Sequence, residues 1–207
     1  MRTITLYTDY KSPYAYLARD PAYALEAIPG VKLDILPYVL NIPDFLGSAK
    51  LDDEGNVVEE QRTAHQWRRV KYSYMDCRRQ ARKRGLVIRG TVKIWDTTLG
   101  ASGLLWAKRQ GDAVSRGYHD RVFERFWKRE LDIEDIAVVT AVLEEAGADT
   151  AGFGAYAAEE GPAEVDRIRL AAEEAGVFGT PTFVIAGELF WGGEHIPDIR
   201  EMLARTP

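Results

Sequence analysis

The sequence predicts an α/β fold in which both ends of the chain contribute to one small sheet around a long helical block. Three observations lead to this expectation: a β-α-β pattern in the first 40 residues, helical periodicity from about residue 40 to about residue 160, and a closing α-β-β-α pattern. Without the helical block, these elements follow the order of a thioredoxin fold. We therefore predict a thioredoxin-like domain formed by residues 1–40 and 163–207, with an all-helical insertion domain at residues 41–162.

The first 40 residues are predicted to form a strand, a helix and a second strand. Residues 3–7 alternate between polar and apolar side chains, as a half-buried strand does. The Ala-, Leu- and Tyr-rich stretch after Pro13 is typical of a helix and stops at Pro29-Gly30, and residues 31–39 form the second strand. Two strands joined by a single helix of this length are expected to be parallel, with a right-handed crossover.

Apolar stripes at helical spacing predict the central block. The stripes are Trp67, Val70, Tyr74, Cys77 and Ala81; Val114, Tyr118, Val122 and Phe126; and Ile136, Val139, Leu143 and Ala146. No strand signal of comparable strength interrupts them, so we expect helices alone in this block. Cys77 lies on the first stripe and is expected to be a small core residue.

The last segment returns to the sheet in this prediction. Its first helix carries an apolar side formed by Val165, Ile168, Ala172 and Ala175. Two short apolar strands follow at residues 182–186 and 189–191, and Gly187-Glu188 between them predicts a tight hairpin. A final helix is expected after Pro197.

Composition excludes several classes of protein. The 207 residues are 46% hydrophobic and 29% charged, which is an ordinary globular composition. A net charge of -5 repels phosphate backbones and anionic membranes, so neither nucleic acid nor a membrane is an expected partner. Without a signal peptide or a long apolar run, a cytoplasmic location is expected.

The count of metal-binding and redox side chains is low. With Cys77 as the single cysteine, the chain has no internal disulfide and no CxxC pair. His65, His119 and His195 lack the spacing of metal ligands, so no metal site is expected.

Charge is segregated along the insertion. Residues 68–93 contain ten Lys or Arg and one acid, whereas residues 130–165 contain ten Asp or Glu and no base. Two solvated helix faces would account for this pattern. The alternatives are a local basic surface for small anionic ligands, or pairing of the two segments within or between chains.

Ser12 and Pro13 lie where the first strand meets its helix. Serine is a favoured N-cap and proline a favoured first helical residue, so these residues are typical of a helix start. The same position offers a hydroxyl at the positive end of a helix dipole, which favours an anion such as a thiolate.

Thr180-Pro181 stands before the third strand, in the segment GVFGTPTF. A proline is tolerated at the first residue of a strand because it need not donate to the ladder. The sequence around this proline therefore indicates a structural role, but it does not indicate whether the Thr180-Pro181 peptide is cis or trans.

The segments YTDYKSPYAYLA and GVFGTPTFVIAGELFWGGEH, with a long helical insertion between them, resemble the 2-hydroxychromene-2-carboxylate isomerases and kappa-class glutathione transferases. These families are relatives of the DsbA-type thioredoxin fold. In dithiol members of that fold a CxxC opens the first helix, and here the matching tetrad is Ser12-Pro13-Tyr14-Ala15. The resemblance implies that glutathione supplies the sulfur and that the Ser12 hydroxyl donates to its thiolate, while the helix dipole lowers the thiol pKa.

The resemblance also implies the rest of a glutathione site. Pro181 would be cis, and the backbone of Thr180 would pair in β fashion with the cysteinyl residue of the tripeptide. Glu194 and the backbone of Gly193 would hold the γ-glutamyl group. The family pattern carries Asp and Arg where this chain has Glu194 and His195, so a permanent charge is lost there, and another low-molecular-weight thiol stays an alternative.

Other residues match the family more loosely. Asp76 and Arg79 match an Asp-x-x-Arg, and Arg69, Tyr72 and Lys83 share their helix face, from which a basic side chain could reach the glycine carboxylate. Asp96-Thr97 occupies an Asn-Ser position and also has the composition of an N-cap. Tyr10, Tyr14, Trp95 and Trp191 are candidates for the walls of an aromatic pocket, or for the core.

Three functions follow as hypotheses. The first is a glutathione-dependent cis/trans isomerase of the chromene-carboxylate type, acting on aromatic pyruvate-like substrates with Ser12 as its catalytic residue. The second is a kappa-like transferase that conjugates glutathione to electrophiles. The third is a redox-inactive thioredoxin-like binding module that uses no thiol. The resemblance also implies a homodimer.

Overall fold

A computed structural model describes residues 1–52, 54 and 56–205 of the chain. Positions 206 and 207, the end of the predicted segment 163–207, lie outside the described residues. The strands are β1 (Arg2–Thr8), β2 (Val31–Pro37), β3 (Ala49–Leu51), β4 (Val57–Glu60), β5 (Thr182–Ile185) and β6 (Glu188–Trp191). The helices are α1 (Pro13–Tyr23), α2 (Ile42–Leu46), α3 (Ala64–Lys83), α4 (Thr98–Lys108), α5 (Asp112–Lys128), α6 (Ile136–Glu145), α7 (Phe153–Ala158), α8 (Glu160–Glu174) and α9 (Ile196–Arg205).

The two ends of the chain meet in one four-stranded sheet of order β2-β1-β5-β6. β1 is parallel to β2, as predicted for a βαβ unit, and antiparallel to β5. β5 and β6 form the predicted antiparallel hairpin, but its turn is Ala186-Gly187 and not Gly187-Glu188, because Glu188 pairs with Ile185. Alternation in β1 places Ile4 and Leu6 in the core, because successive side chains of a strand point to opposite faces. The predicted thioredoxin fold with a helical insertion is confirmed.

Helix α4 lies at the centre of the helical layer and packs against α5, α6 and α8. Small residues allow this close packing. A Cβ atom at Gly103 would lie 2.2 Å from the hydroxyl of Tyr118, which is fully buried and donates to the carbonyl of Gly100 at 2.9 Å. The stripe on α3 behaves as predicted, since Val70, Cys77 and Ala81 are buried.

The insertion departs from the prediction in one place. Residues 49–60 contain the antiparallel hairpin β3–β4 where only helices were expected. All four residues of β4 are exposed, including the adjacent Val57 and Val58, so this strand has no buried face. Because a strand is recognised from an alternation between a buried and an exposed face, this hairpin gives almost no sequence signal.

Within the described part of the chain, no helix has both the length and the apolar character needed to cross a membrane.

His119 makes the stability of the fold sensitive to pH. Its ring is buried in α5, with Nδ1 3.1 Å from the hydroxyl of Tyr10, and burial together with nearby cations lowers its pKa to about 3. The unfolded chain binds a proton at this side chain below about pH 6.5, whereas the folded state does not. Stability is therefore lost as the pH falls from about 6.5 toward 3.

We expect His119 to contribute a loss of about 2 kcal/mol by pH 5, measured by denaturant unfolding at several pH values. His119→Gln retains a polar partner for Tyr10 and does not titrate, so its unfolding free energy should fall less over the same range. Equal slopes for the two proteins would contradict the assignment.

Candidate functional site

Ser12 caps helix α1 at the carboxyl end of β1. Its Oγ accepts a hydrogen bond from the amide of Ala15 at 3.2 Å and donates to the carbonyl of Thr180 at 3.1 Å. Pro13 follows as the first helical residue, as the sequence predicts. A serine hydroxyl has a single proton, so donation to a bound anion would replace the bond to Thr180.

The Thr180-Pro181 peptide faces Ser12 and is cis, as expected from the resemblance. The amide of Gly192, just after β6, donates to the carbonyl of Pro181 at 2.9 Å and joins the two loops. Thr180 is buried, and its Oγ1 has no hydrogen-bond partner among the described residues. A buried hydroxyl without a partner is available to a ligand.

A first cavity of about 460 Å³ lies between α1, the C-terminal half of α3 and residues 180–194. Its charged lining residues are Asp76, Glu194 and Arg84. Two carboxylates and one guanidinium suit a ligand that carries both an ammonium and carboxylates.

Arg84 reaches this cavity because of a proline in α1. Pro21 lies inside the helix and has no amide proton to give to the carbonyl of Leu17, four residues earlier. The guanidinium of Arg84 donates to that carbonyl instead. The sequence offers Arg69, Arg79 and Lys83 as candidates for a basic contact to the ligand; Arg84, which follows the last residue of α3, is not among them.

Asp76 is held at the wall of the first cavity by three side chains. Its carboxylate accepts from Gln80 at 2.8 Å and Arg79 at 3.1 Å, and Tyr14 lies within 3.4 Å. Arg79 therefore pairs with Asp76 and is not one of the residues that line the cavity. The neighbouring Cys77 is buried, and burial raises its thiol pKa to about 12, which makes it an unreactive core thiol.

A second cavity, of about 340 Å³, lies on the other side of Ser12. Its walls include apolar and aromatic side chains, among them Leu40, Phe45, Tyr74, Trp95 and Phe178. Its charged lining residues are Lys11, Arg62, Arg69 and Lys93, and no carboxylate is found among the described residues that line it. The second cavity therefore suits an apolar molecule with negative charge.

The two cavities share a wall. Tyr14, Thr180 and Trp191 line both, and Ser12 lines the second. Trp191 is half-exposed and packs on Phe178, with ring centroids 4.9 Å apart. A sulfur atom at Ser12 would thus face the contents of the second cavity. Tyr14, Trp95 and Trp191 line this cavity, whereas Tyr10 packs with His119 and Phe123 in the core.

A buried ion pair lies directly before Ser12 in the chain. Lys11 Nζ is 2.9 Å from Asp9 Oδ2 and donates to Thr97 Oγ1 at 3.0 Å. Thr97 donates in turn to Asp9 Oδ1 at 2.6 Å, and the amides of Lys11 and Leu40 donate to the same carboxylate. No sequence signal marks Lys11 and Asp9 as site residues, because their partner Thr97 is distant in the chain.

At the start of helix α4, the capping hydrogen bond is accepted by Asp96 and not by the N-cap residue Thr97. Thr97 occupies the N-cap position, but its side chain turns to Asp9 and makes no capping hydrogen bond. Asp96 accepts from the amide of Thr98 at 2.9 Å instead.

The residues predicted to bind glutathione do not all line the same cavity. Thr180, Pro181, Gly193 and Glu194 line the first cavity. His195 is not among the lining residues of either cavity, and its Nδ1 lies 3.5 Å from Asp198.

The charged side chains of the first cavity fit part of a glutathione molecule. The tripeptide carries one ammonium and two carboxylates. Its ammonium fits Glu194 or Asp76 and one carboxylate fits Arg84, while the described lining of this cavity holds no second cation for the other carboxylate. The unpartnered Oγ1 of Thr180 adds a polar contact beside Ser12. In the described part of the chain, no group of three or more His, Cys, Asp or Glu is arranged to hold a metal ion.

Comparisons with known proteins cover nearly the whole chain. The family model for the DSBA-like thioredoxin domain matches residues 3–204. The 2-hydroxychromene-2-carboxylate isomerase of Sphingobium xenophagum is 24% identical over 206 residues, which is 98% of each chain.

Solved structures agree on the fold. A selenomethionine structure of 2-hydroxychromene-2-carboxylate isomerase has a TM-score of 0.74 at 19% identity, covering 98% of this chain and 95% of the other. The cytosolic disulfide reductase DsbM from Pseudomonas aeruginosa, solved with GSH, has a TM-score of 0.61 at 17% identity, covering 98% and 97%.

Proposed function

We propose that this chain, which belongs to the DSBA-like thioredoxin domain family, is a glutathione-dependent cis/trans isomerase of aromatic pyruvate-like compounds. One observation carries the proposal: Ser12 lines an apolar, positively charged cavity and donates to the carbonyl of Thr180, which also lines the neighbouring cavity of mixed charge. The 24% identity to a 2-hydroxychromene-2-carboxylate isomerase supports the reaction class.

When bound, glutathione would supply a thiolate that adds reversibly to a conjugated double bond, so that the bond can rotate and the thiol returns unchanged. Glu194 would hold the ammonium of the γ-glutamyl group, and Arg84 a carboxylate. The Ser12 hydroxyl would donate a hydrogen bond to the thiolate sulfur, and the N-terminus of α1 would favour the negative charge of that sulfur. Trp191 and Tyr14 would shield the sulfur from water and strengthen these interactions.

Intrinsic dithiol exchange does not suit this chain, although disulfide reductases share its fold. The helix start carries Ser12 and Ala15, and the single cysteine, Cys77, is buried. Transfer of glutathione to an electrophile would use the same two cavities and is the second candidate, favoured by the apolar walls of the second cavity.

Two assays on the same protein separate these functions. Calorimetry with glutathione measures binding, and ultraviolet spectroscopy follows the conversion of cis- to trans-benzylidenepyruvate. Isomerisation without net loss of the thiol supports the proposal, whereas thioether accumulation with a chlorodinitrobenzene and no isomerisation favours the transferase. If glutathione does not bind, both glutathione-dependent functions are wrong, and the alternatives left are the use of another low-molecular-weight thiol or a binding module.

Glu194→Gln should weaken glutathione binding about fivefold, because the amide lacks the charge that attracts the γ-glutamyl ammonium. Calorimetry measures the change. Glu188→Gln is the matched control, since Glu188 lies in the β5–β6 hairpin and lines neither cavity. Unchanged affinity in Glu194→Gln would remove this residue from the site.

A further inference from the structure

We propose that Lys11 is a substrate-binding residue of the second cavity, where its buried ammonium donates a hydrogen bond to a carboxylate or keto-acid oxygen of the substrate beside Ser12. This inference rests on the proposed function, since it assigns the group that recognises the negative charge of the substrate.

The ammonium of Lys11 is held by two acceptors. Asp9 Oδ2 lies at 2.9 Å and Thr97 Oγ1 at 3.0 Å, and the side chain is only 6% exposed. A lysine ammonium has three donors, and no third acceptor for Nζ is found among the described residues. Because a buried donor without a partner costs free energy, the third N–H calls for a polar atom in the adjacent cavity.

Asp9 can position Lys11 because other groups hold the carboxylate of Asp9 in place. Its two carboxylate oxygens also accept from the amides of Lys11 and Leu40 and from Thr97. These bonds fix the carboxylate, and the carboxylate fixes the ammonium at the cavity wall. Asp9 and Thr97 are therefore positioning residues, and Lys11 is the group that would touch the substrate.

The positive charge of Lys11 acts beyond its pair with Asp9. The pKa of Asp96 is lowered although burial opposes this, first by hydrogen bonds from Thr98 and then by the charge of Lys11. The field of the ammonium therefore reaches neighbouring groups.

The other cations of the second cavity are occupied or exposed. Arg62 donates to the carbonyl of Leu46 at 3.0 Å, and Lys93 pairs with Glu134 at 2.5 Å. Arg69 is exposed. Lys11 differs because it is buried and adjoins Ser12 in the chain. An anionic group held there would lie close to the proposed sulfur position, with the apolar part of the molecule against Trp95 and Phe178.

Two probes of the same shape test the inference. Quenching of tryptophan fluorescence reports binding of trans-cinnamate and of its uncharged analogue trans-cinnamamide, since Trp95 and Trp191 line the cavity. The wild-type protein should bind cinnamate at least about tenfold more tightly than the amide. Lys11→Met should reduce this preference to about threefold or less, and Lys11→Arg should retain most of it.

Lys93→Met is the matched control, because it removes a cation from the rim of the same cavity; its preference should stay within about twofold of wild type. If Lys11→Met does not fold, Lys11→Gln serves in its place, since its amide can still donate to Asp9 and Thr97 without a charge. Equal affinity of the wild type for both probes, or an unchanged preference in Lys11→Met or Lys11→Gln, would overturn the inference.

Calorimetry with glutathione on the same proteins separates this inference from the proposed function. Lys11 does not line the first cavity, so glutathione affinity should be unchanged in Lys11→Met. Failure of every protein to bind glutathione would refute the proposed function and leave a Lys11-dependent anion preference standing.

Discussion

Replacement of Ser12 by alanine is expected to slow isomerisation about 100-fold, because the variant lacks the hydroxyl proton that would stabilise the glutathione thiolate. Ultraviolet absorbance of the thiolate, recorded against pH, should show the pKa of the bound thiol moving toward its free value of about 8.5. Glutathione should still bind, since Glu194 and Arg84 remain in the first cavity.

Loss of the helix cap is a separate effect of this substitution. Ser12 accepts from the amide of Ala15, and removal of an N-cap side chain costs about 1 kcal/mol of stability. Asp135→Ala is the matched control, because Asp135 caps α6 through the amides of Ala137 and Val138 on an exposed surface. It should lose similar stability and no activity. Full activity in Ser12→Ala would refute the proposed mechanism.

Asp9→Ala is expected to lower the free energy of unfolding by about 3–5 kcal/mol, because the ammonium of Lys11 would stay buried without its counterion. The amides of Lys11 and Leu40 and the hydroxyl of Thr97 would also lose an acceptor. Denaturant unfolding at neutral pH measures the change.

The double variant Asp9→Ala/Lys11→Met should be more stable than Asp9→Ala, since it contains no unpaired buried charge. Arg169→Ala provides the surface comparison. Its pair with Glu173, at 2.9 Å on α8, is partly exposed and should contribute about 0.5 kcal/mol. A loss below about 1 kcal/mol in Asp9→Ala would mean that the ammonium of Lys11 is not left buried without a counterion.

Most of the strands and helices that could be predicted are recognised from the periodic spacing of apolar residues. The alternation of β1 and the apolar stripe on α3 each report a buried face directly, and both faces are buried in the structure. The β3–β4 hairpin could not be predicted in this way, because β4 is exposed throughout.

Those residues of the site that belong to a local sequence motif could be predicted. Ser12 as a helix cap belongs to such a motif, whereas the cis form of Thr180-Pro181 is expected only from the resemblance to the family. Lys11 could not be found, since its environment depends on Thr97, which only the folded chain brings close. His195 turns away from the first cavity while Glu194 lines it, because successive residues of the 3₁₀ turn at Gly193–His195 point about 120° apart.

The pairing of β1 with β5 has a consequence for synthesis on the ribosome. β1 can pair with β2 as soon as Pro37 has emerged, but its other edge must wait until Thr182 and the rest of β5 are made. At about 5–20 residues per second, translation of the intervening stretch takes roughly 7–30 s. During that time the nascent chain carries an open strand edge, which is a template for association with other polypeptides. Chaperone capture or early folding of the intervening helices would protect the nascent chain during this interval.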